Sequence, residues 1–185
     1  MIDETLQDVA EKMERTIEAA KEDFATIRTG RANPGLYSKV MVDYYGSPTP
    51  LQQLASFGVP DARTILITPY DVTALRAIEK ALSDSEVGAN PSNDGKLIRV
   101  TIPELTQERR KEYVKIVKGK GEDAKVAIRN HRRKAKDMLD KMVKDGDVGE
   151  DDGSRGEKEL DALTKKHVDS IDELLKRKES ELLEV

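Results

Sequence analysis

The stretch that decides the fold is LTQERRKEYVKIVKGKGEDAKVAIRNHRRKAKDMLDKMVK, from Leu105 to Lys144. It holds 14 Lys and Arg against 6 Asp and Glu, a local net charge of +8, in a chain that is acidic by 4 overall. At about 100° per residue, most of these cations fall in one sector of a helix. Because like charges one turn apart repel each other, this sector favours contact with an extended polyanion such as a nucleic-acid backbone. The sector, called the cationic face below, consists of Lys111, Lys115, Lys118, Lys125, Arg129, Arg132, Arg133 and Lys136, interrupted by Glu122.

This helix needs partners, because a helix with a single apolar stripe is not stable alone in water. Apolar residues recur every three or four positions in residues 3 to 28 and again after Gly156, which predicts two further long helices. Residues 145 to 156 hold four glycines and five acids and predict a loop, with a helix start at the acids 150 to 152. The expected buried seams are Leu6, Val9, Met13, Ile17, Ala20, Phe24 and Ile27; then Tyr113, Val117, Gly121, Ala124, Ile128, His131, Ala135, Met138 and Met142; and finally Leu160, Leu163, His167, Ile171, Leu174 and Leu182.

The middle of the chain lacks the long helical periodicity of the two ends. Residues 39 to 45, 64 to 68 and 96 to 102 are rich in β-branched or aromatic residues and predict strands. Residues 46 to 50 and 90 to 95 predict turns because they concentrate glycine, proline, serine and asparagine. Asp71 is suited to cap a short helix through Leu82. These patterns indicate a small β/α/β domain.

The order of these pieces predicts an α+β protein. The first helix must return to pack with the last two, so both chain ends form a three-helix bundle, residues 1–29 and 105–185. The β/α/β domain, residues 31–104, is inserted into it. Only two connections join the parts, which favours hinges and an elongated, bent molecule. The hinge residues are expected to be Thr29, Gly30 and Arg31 on one connection and Pro103, Glu104 and Leu105 on the other.

Composition excludes several classes of function. There is no cysteine, so disulfides, thiolate metal sites and a cysteine nucleophile are excluded. No signal peptide and no bilayer-spanning run is evident, which indicates a soluble cytoplasmic protein with no membrane partner. No phosphate-binding loop, dinucleotide fingerprint or nucleophile elbow is present, so we expect neither an enzyme nor a cofactor.

The two histidines have two interpretations. His131 and His167 lie on apolar seams of different helices and could meet inside the bundle. We favour hydrogen-bonded core residues over a metal site, because a two-histidine site needs further ligands that the seams do not offer.

The cationic face also has two interpretations, since basic helix faces are often only solvated. Binding is favoured because Arg129, Arg132 and Arg133 cluster, and the planar guanidinium suits bidentate phosphate contacts. Acids are concentrated on the other two long helices. No aromatic residue interleaves the face, so double-helical RNA or DNA backbone fits better than splayed bases. For one or both of Tyr44 and Tyr45 we favour packing in the core or across strands over a role as platforms for bases.

Five motifs resemble one known family along the whole chain. They are TIRTGRANP from Thr26, YYGSPTP from Tyr44, QLAS from Gln53, LTQERRK from Leu105 and RNHRR from Arg129. The chain is thereby similar to bacterial ribosome recycling factors. That resemblance implies an L-shaped monomer that acts after translation termination. It would bind the post-termination ribosome and, with elongation factor G and GTP, split it into subunits, releasing mRNA and deacylated tRNA.

The resemblance also implies roles for particular residues. The positions that match the RNA-contacting arginines of the family are Arg31, Arg110, Arg129, Arg132 and Arg133, to which the cationic face adds Lys125 and Lys136. The partner would be the ribosomal RNA of the large subunit. His131 departs from the family pattern, which usually has an aliphatic residue there. The alternative is a helical adaptor or general nucleic-acid-binding protein that uses the same face.

Overall fold

The computed structural model describes residues 1–85 and 90–184. The chain divides into two compact units. The first contains Met1–Asp23 and Lys115–Ser180, and the second contains Phe24–Val114 together with the C-terminal residues from Glu181. These bounds fall within long helices, whereas the domain boundaries expected from the sequence fall at the glycine and proline junctions near 30 and 104.

The first unit is a bundle of three helices. They are α1, Ile2–Ala25, α4, Gln107–Lys144, and α5, Glu150–Leu183. Hydrogen bonds and ion pairs within this unit join α4 to α1, α5 to α1 and α4 to α5. The predicted association of helices from both chain ends is therefore confirmed for this unit.

Helical periodicity located most of the buried seams correctly. All seven predicted seam residues at the start of the chain are buried. In α4 the prediction fails at Met138, which is 49% exposed, while Leu139 beside it is 2% exposed. Residues such as Val117, Ile128 and Ala135 define the buried direction. Met138 lies about 80° from that direction at 100° per residue, which places it at the edge of the packed stripe.

Three glycines inside the long helices, Gly121, Gly153 and Gly156, mark points where two helices approach closely. A Cβ built at Gly121 would lie 2.5 Å from Leu175 Cδ1, and one at Gly156 would lie 3.0 Å from Ile2 Cγ2. A Cβ at Gly153 would collide with Val143 Cγ2. The predicted loop over residues 145 to 156 is therefore wrong beyond Gly149, because α5 starts at Glu150 and uses its glycines for packing. The predicted helix start at the three acids is confirmed.

The second unit contains an antiparallel sheet and a hairpin. The sheet has the order β3-β4-β6-β5, with β3 Ala55–Asp61, β4 Thr64–Pro69, β5 Ser92–Asn93 and β6 Ile98–Thr101. The hairpin pairs β1, Met41–Tyr44, with β2, Ser47–Pro50. The remaining elements are the short helix α2, Leu51–Leu54, the helix α3, Leu75–Asp84, and 3-10 turns at Pro34–Tyr37 and Val72–Ala74.

Apolar side chains from the sheet, the hairpin and α3 form the core of this unit. Ile65, Ile67, Ile78 and Ile98 are fully buried in it. The Tyr37 ring lies near Phe57 with ring centroids 6.2 Å apart, and burial raises the pKa of Tyr37 to about 12. The Tyr37 hydroxyl has no hydrogen-bond partner within residues 1–85 and 90–184.

The three predicted strands are confirmed, whereas Asp71 caps the 3-10 turn Val72–Ala74 that leads into α3 and not α3 itself. The Asp71 carboxylate accepts hydrogen bonds from the backbone N–H and the hydroxyl of Thr73, at 2.9 and 2.7 Å. The prediction of a turn over residues 46 to 50 is wrong, because only Tyr45 and Gly46 form the turn and the next four residues pair with β1. β3 was not predicted, since Gly58 and Pro60 interrupt its apolar pattern.

Candidate nucleic-acid interface

The cationic face of α4 divides into two parts. Lys125, Arg132 and Lys136 lie about 20° to 60° to one side of Arg129 around the helix. On that side α4 meets α5, and the three side chains are partly covered. The remaining members of the face, Lys111, Lys115, Lys118, Arg129 and Arg133, are exposed. The expectation of one uniformly solvent-facing sector is therefore corrected.

The covered part is engaged with carboxylates. The Lys125 ammonium contacts Asp172 of α5 and lies 3.3 Å from Glu122, and its side chain is only 13% exposed. Hydrogen bonding to Asp172 raises the pKa of Lys125. Opposite charges at this contact stabilise the positive form of the lysine. These ion pairs fix α5 against α4, so they serve the bundle as well as any ligand.

Arg132 and Lys136 continue the same pattern along α4. The Arg132 guanidinium binds Asp161 through Nε and Nη2, at 2.7 and 2.6 Å. Lys136 lies 2.9 Å from Asp140 and 3.5 Å from Glu157, and its hydrogen bond to Asp140 raises its pKa. A phosphate that binds these side chains has to compete with a carboxylate already in place.

The exposed part has no such competition. Within the described residues, no carboxylate pairs with Lys115, Lys118, Arg129 or Arg133. The Arg133 Nη2 donates to Asn130 Oδ1 of the same helix at 2.6 Å, which holds the guanidinium against α4 without neutralising it. Unneutralised guanidinium and ammonium groups on a rigid helix are the arrangement that binds phosphates.

Arg110 and Arg31 occupy a separate cluster in the second unit. Arg110 Nη1 donates to the backbone carbonyls of Leu182 and Glu184, at 2.8 and 2.7 Å. Arg31 Nη1 lies 3.3 Å from the Glu184 carboxylate, with both side chains more than half exposed. The structure thus gives both arginines a role in holding the C-terminal residues, in addition to any contact with RNA.

The predicted hinge residues surround this cluster. Gly30 has φ 79°, in the left-handed region that favours glycine. A Cβ there would lie 3.4 Å from Leu105 N and 3.6 Å from Arg110 Nη2. Thr29 is buried, whereas Pro103 and Glu104 are exposed and belong to no helix or strand. The two chain connections therefore run side by side at Gly30 and Leu105.

The histidines hydrogen-bond with different partners on α1. His131 Nε2 lies 3.3 Å from Thr16 Oγ1, and its pKa is lowered by burial and by the nearby Lys12 and Lys134. His167 is buried, with Nδ1 2.8 Å from the Leu163 carbonyl and Nε2 3.2 Å from Glu14 Oε2. The part of the chain that the structure describes holds no group of three histidines or carboxylates suited to a metal ion.

The carboxylates that face α4 were not identified from the sequence. Asp161 and Asp172 lie on α5, and Glu157 precedes them by one turn or more. Their spacing of four and eleven residues places all three carboxylates on one face of α5, which can be read from the sequence. Which residues of α4 they meet can be predicted only when the register between α4 and α5 is known.

None of the helices in the described ranges has the length and apolarity that crossing a bilayer requires.

The sequence and the fold are similar to those of known proteins. A family model described as ribosome recycling factor matches residues 20–183. The ribosome-recycling factor of Paenarthrobacter aurescens is 82% identical over 185 residues and that of Streptomyces coelicolor is 64% identical, and in both cases the match covers 100% of each chain.

Solved structures give the same result. A solution structure of the ribosome recycling factor matches with a TM-score of 0.79 at 37% identity, covering 100% of this chain and 98% of that one. A second match has a TM-score of 0.71 at 41% identity and covers 100% of both chains. It is a model of the T. thermophilus ribosome recycling factor and E. coli elongation factor G bound to the E. coli post-termination complex. The family match spans well over half of the chain, so this protein belongs to the ribosome recycling factor family.

Proposed function

We propose that this protein recycles ribosomes after translation termination. It binds the post-termination ribosome and, together with elongation factor G and GTP, splits it into subunits, releasing mRNA and deacylated tRNA. The observation that carries the proposal is family membership over the full chain length. A relative in that family, T. thermophilus ribosome recycling factor, is placed with elongation factor G on a post-termination complex.

The protein acts as a binding factor in the cytoplasm and not as an enzyme. The sequence has no nucleotide-binding motif, so GTP hydrolysis belongs to the partner. This protein would then supply the binding energy through α4, and elongation factor G would supply the mechanical work.

The proposed RNA contact is centred on the exposed part of the cationic face. Arg129 and Arg133 present guanidinium groups that no described carboxylate neutralises. Arg132, Lys125 and Lys136 would contribute after exchanging a carboxylate for a phosphate. Phosphate contacts carry little sequence information, so position on the large subunit has to supply specificity.

Two further assignments are part of the proposal. Arg31 and Arg110 contact ribosomal RNA beside the junction, where they also hold the C-terminal residues. The domains comprise residues 1–29 with 105–185 and residues 31–104, and the connections at 29–31 and 103–105 act as hinges. Spin-label distances between the two domains test the hinge, since one narrow population both free and on the ribosome would contradict it.

The test of the function is light scattering of purified post-termination ribosomes. We expect a fall in scattering when this protein, elongation factor G and GTP are added together, and none when any one of the three is omitted. A general nucleic-acid-binding protein would bind free duplex RNA as tightly as large subunits and would be indifferent to the GTPase. No loss of scattering with all three components present would refute the proposal.

A further inference from the structure

Three aspartates of this chain are followed directly by glycine, in the steps Asp94–Gly95, Asp145–Gly146 and Asp152–Gly153. Such an aspartate can modify its own backbone, because the amide nitrogen of the next residue can attack the side-chain carboxyl carbon. Glycine permits this attack most readily, since it has no Cβ and accepts many backbone conformations. The attack needs a free amide nitrogen and a free carboxyl group, so hydrogen bonds to either group slow it. The three steps differ in those hydrogen bonds.

The step at Asp94 is held at both reacting groups. The Asp94 carboxylate accepts hydrogen bonds from the backbone N–H groups of Leu97 and Lys96, each at 2.9 Å. These bonds lower the pKa of Asp94 and keep it ionised, and a carboxylate repels a nucleophile and has no hydroxyl to release. The Gly95 N–H donates to Asn93 Oδ1 at 2.6 Å. Attack at this step therefore requires three hydrogen bonds to open.

The step at Asp152 is held by the first turn of α5 and by packing. The Gly153 N–H donates to the Gly149 carbonyl at 3.0 Å, and Asp152 Oδ1 accepts from Arg155 Nη2 at 3.1 Å. Gly153 also lies so close to Val143 that a Cβ there would collide with it. The nitrogen cannot move toward the carboxyl group without disturbing the contact between α4 and α5.

The step at Asp145 has the least protection. Asp145 is exposed, and its carboxylate makes no hydrogen bond or ion pair in the part of the chain that the structure describes. The Gly146 N–H donates to the Val143 carbonyl at 3.1 Å, as part of the cap that ends α4. A Cβ at Gly146 would meet nothing within 4 Å. Because helix ends open more easily than helix centres, this single hydrogen bond is a weak barrier to the reaction.

We propose that Asp145 is the site at which this protein converts an aspartate to isoaspartate. The Gly146 nitrogen bonds to Cγ of the neutral Asp145 carboxylic acid, the bond from Cγ to the hydroxyl breaks, and the hydroxyl leaves as water with the amide proton. One water then opens the resulting succinimide ring. Addition at Cγ restores aspartate, and addition at the main-chain carbonyl gives isoaspartate. The conversion needs no oxidant, reductant or cofactor, and it is independent of the proposed function.

The product alters the end of α4. Isoaspartate places one additional carbon in the backbone between Lys144 and Gly146. This carbon lies inside the hydrogen bonds that Asp147 and Val148 donate to the Met142 carbonyl, at 2.9 and 3.3 Å. Those bonds close α4 and direct the chain toward α5, so the modification acts on the connection between the two helices.

The test is incubation of the full-length protein at neutral pH in water enriched in the heavy isotope of oxygen. Each ring opening inserts one heavy oxygen, whether aspartate or isoaspartate forms, so mass spectrometry of proteolytic fragments counts the events. Electron-transfer fragmentation separates Asp145 from Asp152 and identifies isoaspartate. We expect Asp145 to take up label about tenfold faster than Asp94 or Asp152, the factor that one additional hydrogen bond supplies.

The unfolded chain is the matched control. In guanidinium chloride the three steps lose their hydrogen bonds, so their labelling rates should become similar. In the folded protein, Asn93→Ala removes the acceptor of the Gly95 N–H, so labelling at Asp94 should rise about fivefold while that at Asp145 stays unchanged.

Three results would overturn the proposal. The first is labelling of Asp94 or Asp152 in the folded protein at a rate equal to or above that of Asp145. The second is labelling of Asp145 no faster than that of aspartates without a following glycine. The third is a lead of Asp145 that persists in guanidinium chloride, because the fold would then not be its cause.

Discussion

Replacing Arg129 and Arg133 together by glutamine should weaken binding to the large ribosomal subunit without destabilising the fold. Neither guanidinium pairs with a carboxylate in the described residues, and both side chains are exposed. Their removal should therefore change the free energy of unfolding by no more than about 0.5 kcal/mol. Each lost contact to a phosphate corresponds to roughly tenfold in affinity, since hydrogen bonds to charged groups are worth about 1.5 kcal/mol or more.

The double variant should thus bind about 100-fold more weakly at moderate salt. The slope of log K against log salt should also become shallower by about 1.5, because two fewer counterions are released. Pelleting of large subunits across a salt series measures both quantities. Urea unfolding supplies the stability control.

Arg132→Gln is the matched comparison. The Arg132 guanidinium already binds Asp161, so its removal should destabilise the bundle by about 0.5 to 1 kcal/mol. Its binding defect should be smaller than that of either exposed arginine. Unchanged affinity and salt slope in the double variant would refute the assignment of this face to RNA.

Three further predictions concern the scaffold. Gly121→Ala should destabilise the bundle by about 1 to 3 kcal/mol because its Cβ overlaps Leu175. The control is Gly119→Ala, whose Cβ meets nothing within 4 Å and which should stabilise the helix by about 1 kcal/mol. Equal effects of the two substitutions in urea unfolding would contradict the close packing of α4 against α5 at Gly121. The pKa of His131 is lowered in the folded state, so the unfolded chain binds its proton more tightly. Stability should therefore be full above about pH 6.5 and be lost as the pH falls through the lowered pKa; His131→Leu should flatten that dependence, and an unaltered profile would exclude the histidine as its source. Arg110→Met removes two hydrogen bonds to C-terminal carbonyls, so hydrogen exchange should accelerate in the last turn of α5; unchanged protection there would show that other contacts hold the C-terminus.

Much of the fold follows from periodicity. The predicted seam from Leu6 to Ile27 is buried at every position, although α1 itself ends at Ala25, because its apolar residues repeat at helical spacing. The strands around Ile65 and Ile98 follow from short β-branched runs. Helical periodicity and β-branched runs are local patterns, so they can be recognised without knowledge of the rest of the chain.

The wrong secondary-structure predictions have their cause in tertiary contacts. α5 begins before Gly153 because close packing against Val143 outweighs the poor helix propensity of glycine. β3 is held by its pairing with β4, which compensates for Gly58 and Pro60. In each case a contact distant in sequence decides the local structure.

The candidate site was predicted in outline and corrected in detail. The sector containing Arg129 and Arg132 followed from helical geometry, but the sequence does not state which edge of that sector meets another helix. The register that brings Lys125 to Asp172 is set by packing between α4 and α5. Of the two tyrosines, Tyr44 packs against the core of the second unit, whereas Tyr45 in the hairpin turn is 80% exposed; the sequence does not distinguish the two.

The central claim, that the exposed side of α4 faces large-subunit RNA, is open to direct measurement. Because the chain has no cysteine, Val126→Cys gives a single attachment point on the exposed side of α4 for tethered hydroxyl-radical cleavage, and Glu11→Cys gives a control on α1. The account predicts strong, localised cleavage of large-subunit ribosomal RNA from position 126 and weak cleavage from position 11. Equal cleavage from both positions, or none from position 126, would contradict it.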